Sequence, residues 1–265
     1  MKNENHADKG SWLSHNRRLA ITSTLVPFLL LGYLELLPLG KFVPPLLYFF
    51  ATGIWVMVVT PLILGLPNGR KPIRAFCTDI RLLPITPLGR NILLGLLMAF
   101  LTLSGILLAS LLTHHFVLNW STLPPSRWVK GLTRGVWEEV IFRGILLAVT
   151  MRFFSRCKAV LLTTAIFAAV HFNFLAPTLG GAIDVVSLFF MGLLFTYLVL
   201  KTGSLLPAIV FHYVHDIFVL SVQNTPGADE TKASLLLYGF LWVALVIGAV
   251  LTKFIAEHGP IRLKH

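Results

Sequence analysis

The sequence predicts an all-α membrane protein, a bundle of about eight transmembrane helices. Of its 265 residues, 56% are hydrophobic and only 12% are charged, whereas a soluble domain carries roughly 25% charged residues. The apolar residues are gathered into long runs, and a helix needs about 20 such residues to cross a bilayer. Some of these runs contain ionisable side chains, which are costly inside a membrane and therefore indicate a functional site.

The predicted spans are separated by short loops and by two longer connecting segments. They cover approximately residues 19–38, 43–66, 91–113, 131–151, 159–176, 183–200, 204–222 and 234–255. We expect a cytoplasmic N-terminal segment (1–18), a single transmembrane domain (19–255) and a cytoplasmic tail (256–265). No internal repeat or linker divides the domain, and the length suits one compact bundle.

The basic residues predict the orientation of the chain. Sixteen of them lie in the N-terminal segment, in the loops after the second, fourth and sixth spans, and at the end of the last span and in the tail, whereas the alternate loops hold four. Cytoplasmic loops carry the excess of Lys and Arg, so both termini are expected in the cytoplasm of a multi-pass plasma-membrane protein. The same distribution explains the net charge of +11 without a nucleic-acid partner. It also favours contact with anionic headgroups of the lipid bilayer.

Two connecting segments are expected at the membrane surfaces. The segment 67–90 is rich in Pro and Arg and is predicted to be amphipathic at the cytoplasmic interface. The segment 114–130 contains Trp120 and Trp128, and indoles favour the membrane–water boundary. Cys77 and Cys157 are expected in cytoplasmic loops and support neither a disulfide framework nor a thiolate zinc site.

The fourth span contains two carboxylates and a guanidinium, from Glu138, Glu139 and Arg143. Residues four apart share a helical face, so Glu139 is expected to pair with Arg143. Glu138 is rotated by about 100° from Glu139, which leaves it the less neutralised carboxylate. Such a group suits a general acid or base. The alternative is a buried polar cluster that ties helices together, but a second Glu without a local partner favours chemistry.

His171 lies near the end of the fifth span, one turn after Phe167, which is placed to wall its imidazole. A lone His on an apolar helix is more often a packing residue than a catalyst. The depth of His171 nevertheless matches that of Glu138. Glu138 lies early in the fourth span and His171 lies late in the fifth, and the two spans run in opposite directions. We therefore expect the two side chains in the same leaflet half.

The seventh span carries His212, His215 and Asp216 near its middle. His212 and Asp216 are four apart, so Asp216 is placed to orient the ring of His212 or to bond another helix. The sequence does not distinguish which of the two imidazoles faces the site. A carboxylate and two imidazoles can activate water directly or ligate a divalent metal such as zinc. The HExxH motif of soluble zinc proteases is absent.

These motifs resemble the CPBP (Abi) family, which includes type II CAAX prenyl endopeptidases and bacteriocin-immunity proteins. The resemblance covers about residues 131–222. In chain order, on successive predicted helices, the motifs are Glu138-Glu139-x-x-x-Arg143, Phe167-x-x-x-His171 and His212-x-x-x-Asp216. The resemblance implies an eight-helix bundle and peptide-bond hydrolysis inside the membrane.

The resemblance also implies a role for each residue. Glu138 and His171 would activate the attacking water, with Glu139 and Arg143 in support. His212 and Asp216 would stabilise the oxyanion, at a position where the family often has Asn. An ionised Asp cannot donate a hydrogen bond, so Asp216 is expected to orient His212 instead. We expect a glutamate mechanism without a cofactor; a metal held by Glu138, His171 and His212 is the alternative.

The resulting prediction is a bacterial-type, CAAX-protease-like endopeptidase that cleaves peptides or membrane-protein segments. Two other functions stay open. A non-catalytic bacteriocin-immunity or membrane-assembly factor of the same fold would bind partners without hydrolysis. A proton-coupled transporter also uses intramembrane Glu and His, but the duplicated halves common in transporters are missing. The sequence predicts no oligomeric state.

Overall fold

The computed structural model describes residues 44–60, 70–83, 87–114, 116–119, 125–172, 178–219, 221–227 and 229–258. The predicted first span, 19–38, and both terminal segments lie outside these ranges. The helices are α1 (Pro45–Ile54, continued by a π-helical turn Trp55–Val59), α2 (Arg70–Asp79), α3 (Leu88–Thr113), α4 (Pro125–Glu139, continued by a π-helical segment Val140–Leu146), α5 (Leu147–Phe153), α6 (Arg156–Ala169), α7 (Leu179–Thr202), α8 (Leu206–Val219) and α9 (Glu230–His258). The strands are β1 (Phe116–Leu118) and β2 (Val222–Asn224).

Three helices in the described part of the chain are long and apolar enough to cross a membrane: Leu88–Leu112, Leu179–Thr202 and Leu235–Ile255. They correspond to the predicted third, sixth and eighth spans. Two shorter apolar helices, Phe49–Val59 and Leu206–Val219, fall within the predicted second and seventh spans. The protein is therefore a largely helical membrane protein, and the count of eight spans is not confirmed.

Several of the approximate span ends differ from the ends of the helices. The fourth span was expected from residue 131, but its helix begins at Pro125, since Pro is tolerated in a first turn. The fifth span was extended to residue 176, whereas α6 ends at Ala169, and His171 N–H then bonds the carbonyl of Ala168 in a tight turn. The seventh span was extended to residue 222, but α8 ends at Val219.

The small β-sheet was not predicted and is a minor addition to the predominantly helical fold. β1 pairs with β2 in antiparallel register, with Val117 opposite Gln223. The strands follow α3 and α8, so they join the ends of these two helices. A strand of three residues is too short to show the alternating pattern by which a strand is recognised from sequence.

Helix α8 is packed between α3 and α4 through glycines. A Cβ on Gly95 of α3 would lie 2.7 Å from the Val210 Cβ, and a Cβ on Gly135 of α4 would lie 3.0 Å from the Tyr213 Cβ. Small residues of this kind allow membrane helices to approach closely. Helices α3 and α8 run parallel to each other, whereas α4 and α8 run antiparallel. The approach to α4 brings His212 beside Glu139.

The predicted amphipathic segment 67–90 contains α2, whose inner face is buried at Phe76 and Cys77. Cys77 therefore lies in a helix and not in the expected loop, while Cys157 is exposed in the first turn of α6. After α2 the chain turns at Arg81, which has φ 59°, and the Arg81 carbonyl accepts a 3.0 Å hydrogen bond from Leu205 N–H. This bond fixes the segment to the start of α8.

Candidate active site

The candidate active site begins where α4 becomes π-helical. Glu138 and Glu139 are its last α-helical residues, and Arg143 lies in the π-helical segment Val140–Leu146, all of whose residues are buried. A π-helical turn inside an α-helix frequently occurs at a functional site. On the other side of α4, the indole of Trp137 donates a 2.9 Å hydrogen bond to the Phe49 carbonyl, which attaches α1.

Glu139 and Arg143 form a fully buried ion pair, as the sequence predicts. Arg143 Nη1 lies 3.1 Å from Glu139 Oε1, and the two residues are 1% and 0% exposed. The guanidinium carbon lies 3.9 Å from the centre of the Phe167 ring and 5.0 Å from that of Phe195. These aromatic faces stabilise the cation where water is excluded.

Glu139 also orients His212. His212 Nδ1 donates a 2.8 Å hydrogen bond to the same Oε1 that receives Arg143. The sequence assigns the orientation of this ring to Asp216, but the short hydrogen bond to its Nδ1 edge is made by Glu139. Asp216 lies one turn along α8 on the opposite edge, where its Oδ1 is 3.6 Å from His212 Nε2.

Glu138 faces both imidazoles, and its residue is only 8% exposed. Its Oε2 lies 3.7 Å from His171 Nε2 and 3.8 Å from His212 Nε2. The predicted approach of Glu138 and His171 is therefore confirmed. Both distances exceed that of a direct hydrogen bond, a separation at which a bridging water is to be considered.

His171 is held by the backbone of the turn that ends α6. Its Nδ1 lies 2.7 Å from the Phe167 carbonyl, which can only accept, so Nδ1 carries the proton. In neutral His171 the Nε2 lone pair consequently faces Glu138. The ring centre is 4.9 Å from that of Phe167, as the sequence predicts. The side chain of His171 is 32% exposed, against 8% for that of His212, so the site opens beside His171.

Phe195 of α7 is a site residue that the sequence did not reveal. Its ring stacks on His212 with a centre-to-centre distance of 5.0 Å and an angle of 19°. The same ring approaches Arg143, so Phe195 packs against two polar members of the site at once. One Phe among the 20 of this chain gives no pattern that would have distinguished it.

His215 lies outside the site. Its Nδ1 is 3.2 Å from Thr102 Oγ1, and its ring packs edge-on against Phe211. The residue is 7% exposed. His215 therefore connects α8 with α3, which answers the question of which imidazole faces Glu138.

The alternative metal ligands were Glu138, His171 and His212. Within the described ranges, no group of three or more His, Cys, Asp or Glu side chains is arranged to hold a metal ion. The two Nε2 atoms nevertheless approach one carboxylate oxygen, and imidazole and carboxylate are ligands that zinc accepts.

The part of the chain that contains these residues matches a known protein family. Residues 120–218 match the family described as Type II CAAX prenyl endopeptidase Rce1-like. The match confirms the resemblance predicted from the motifs, and the Rce1-like stretch includes every predicted site residue from Glu138 to Asp216. No curated protein matches the chain.

Proposed function

We propose that this protein is an intramembrane endopeptidase in which Glu138 and His171 activate the attacking water. The observation that carries the proposal is the approach of Glu138 Oε2 to His171 Nε2 and His212 Nε2, at 3.7 and 3.8 Å. The Rce1-like family supports a protease at the level of the family. The roles of individual residues rest on the geometry of the site.

The proposed reaction begins with a water bound between Glu138 and His171. Glu138 accepts a proton as the water oxygen forms a bond to the peptide carbonyl carbon, and the carbonyl oxygen becomes an oxyanion. The tetrahedral intermediate then collapses, the C–N bond breaks, and the proton held by Glu138 passes to the leaving amine. A carboxylate and an imidazole are the side chains most often used for such transfers.

His212 is the proposed donor to the oxyanion. Its Nδ1–H is committed to Glu139, so donation from Nε2 requires the imidazolium form. Glu139 on one edge and Asp216 on the other supply the negative charge that favours this form, with Asp216 Oδ1 3.6 Å from Nε2. Preorganised donors of this kind act most strongly where water is excluded.

The proposed substrate is a peptide or a membrane-protein segment that enters beside His171. Helix α6 has 14 residues and is therefore about 21 Å long, and His171 follows its far end. The predicted topology places the start of α6 at the cytoplasm, which leaves the site nearer the opposite surface. Access from the bilayer or from that surface suits a membrane-embedded segment.

The test is cleavage of a quenched fluorogenic peptide library by the purified full chain in detergent. Glu138→Gln removes the base while keeping the size of the side chain, and is expected to lower the rate about 100- to 10,000-fold. Asp229→Asn, an exposed acid far along the chain, is the matched control and is expected to retain the wild-type rate. Full biological activity of Glu138→Gln would overturn the proposal in favour of a non-catalytic immunity or assembly factor.

A chelator separates the two forms of the mechanism. Cleavage that persists in chelator supports the glutamate mechanism without a cofactor. Loss of cleavage in chelator that is restored by zinc would assign Glu138, His171 and His212 as metal ligands, with the metal supplying the activated water.

A further inference from the structure

We propose that the groove between α7 and α9 binds an acyl chain of an anionic phospholipid. The groove has a volume of about 370 Å³, within the range of small-ligand sites. Its lining is apolar apart from the ring edges of one Tyr and one Trp. The lining residues are Phe190, Leu193, Leu194 and Tyr197 of α7 and Trp242, Leu245, Val246 and Ala249 of α9.

The groove runs along two parallel helices. The Trp242 indole donates a 3.1 Å hydrogen bond to Ser187 Oγ, and further along both helices a Cβ on Gly248 would lie 3.6 Å from Leu194. Helices α7 and α9 therefore run parallel to each other. Both helices are long and apolar enough to cross a membrane, so the groove follows the direction of the lipid chains.

The groove has opposite charges at its two ends. Lys201 and Lys253 each follow the last lining residue of their helix by four positions, about 6 Å. Lys201 Nζ lies 5.8 Å from the Tyr197 ring centre, which directs it along the groove wall. At the other end, Asp184 is hydrogen-bonded to Tyr238. The two Lys residues favour an anionic headgroup at their end.

An acyl chain suits this groove better than a peptide. The lining residues from Phe190 to Tyr197 span about 10 Å, which is shorter than one leaflet of hydrocarbon. An extended peptide inserted there would leave backbone N–H and C=O groups unsatisfied, whereas an acyl chain has none. The indole N–H of Trp242 already has Ser187 as its partner.

The groove is separate from the candidate active site. Gly192 and Phe195 lie on another face of α7, against Arg143 and His212. Lipid occupancy can therefore be measured independently of hydrolysis, and the inference does not depend on the proposed function.

Trp242 gives the experiment a reporter inside the groove. The purified full chain in detergent micelles is titrated with phosphatidylglycerol or phosphatidylcholine that carry the same brominated acyl chains, which quench nearby tryptophans. The signal of Trp242 is the difference between the wild type and Trp242→Phe. We expect half-quenching at a mole fraction of phosphatidylglycerol roughly tenfold lower than that of phosphatidylcholine.

Charge variants test the headgroup preference. The double variant Lys201→Gln/Lys253→Gln is expected to bring the two lipids within a factor of about two. Lys232→Gln, an exposed Lys near the opposite end of α9, is the matched control and is expected to keep the preference. Equal half-quenching by both lipids in the wild type, a preference that survives in the double variant, or a Trp242 signal that neither lipid quenches would overturn the proposal.

Discussion

Glu139 Oε1 accepts hydrogen bonds from both His212 Nδ1, at 2.8 Å, and Arg143 Nη1, at 3.1 Å. One carboxylate oxygen of α4 thus holds the imidazole of His212 on α8. The same oxygen forms the ion pair with Arg143 in the π-helical continuation of α4. The adjacent Glu138 makes no comparably short contact with His171 or His212. The two neighbouring glutamates therefore differ in their contacts: Glu139 positions His212 and Arg143, and Glu138 is the proposed base.

Glu139→Gln tests the positioning role. The amide keeps the shape of the side chain but removes the charge that holds His212 and Arg143, so kcat is expected to fall about 100-fold. KM should change little, since Glu139 is fully buried and does not reach substrate. Steady-state kinetics on the best library peptide measure both. A KM that rises while kcat is unchanged would show that Glu139 contributes to binding instead.

The two histidines of α8 should respond differently to truncation. His212→Ala removes the proposed oxyanion donor and is expected to lower kcat at least about 100-fold. His215→Ala removes the partner of Thr102 and is expected to destabilise the fold by about 1–3 kcal/mol while folded molecules keep their activity. Activity per folded molecule, with thermal unfolding in detergent, distinguishes these effects. Comparable loss of kcat in both variants would contradict the assignment.

Gly192 provides a test of the packing around Arg143. A Cβ there would lie 3.0 Å from Arg143 Nη2 and 3.1 Å from Phe167 Cδ1. Gly192→Ala is expected to destabilise the protein by about 1–3 kcal/mol and to reduce cleavage. Gly239→Ala is the control, because a Cβ at Gly239 meets nothing within 4 Å. The packing argument fails if both variants unfold at the wild-type temperature.

The two cysteines should differ in reactivity. Cys157 is exposed, whereas Cys77 is buried and burial raises the pKa of its thiol, which lowers the thiolate fraction near neutral pH. We expect a maleimide to label about one thiol per folded chain, and Cys157→Ala to abolish the labelling. Mass spectrometry of the labelled protein gives the stoichiometry and the site. Preferential labelling of Cys77 would contradict the packing of α2.

The same label tests the predicted orientation. Cys157 lies in the first turn of α6, just after the fourth span, and the distribution of Lys and Arg places this end of α6 in the cytoplasm. In intact cells a membrane-permeant maleimide is expected to react with Cys157, and an impermeant one is not. Labelling by the impermeant reagent would reverse the predicted topology.

Much of the site followed from the sequence because helical geometry is local. The pairing of Glu139 with Arg143 depends only on a spacing of four residues, and the matching depth of Glu138 and His171 depends only on alternating helix directions. The orientation of His212 did not follow. It depends on how closely α8 approaches α4 at Gly135, which is a property of packing in three dimensions.

Helix ends were less predictable than helix interiors. Hydropathy continues past Ala169 and Val219, where the backbone nevertheless turns. Short-range hydrogen bonds such as that from His171 N–H to the Ala168 carbonyl end the helix without a change in polarity. In α4 the error had the opposite sign. Charged residues interrupt the apolar pattern near its start, although the helix itself continues through them.

The two imidazoles of the site are oriented by different kinds of acceptor. His212 depends on a side chain, whereas His171 depends on the Phe167 carbonyl. A carbonyl is present whatever residue occupies position 167, so substitution can remove the anchor of His212 but not that of His171. Saturation mutagenesis should therefore find an essential partner for only one of them, and directed evolution can retune His212 through Glu139 while His171 changes only if the turn itself is rebuilt.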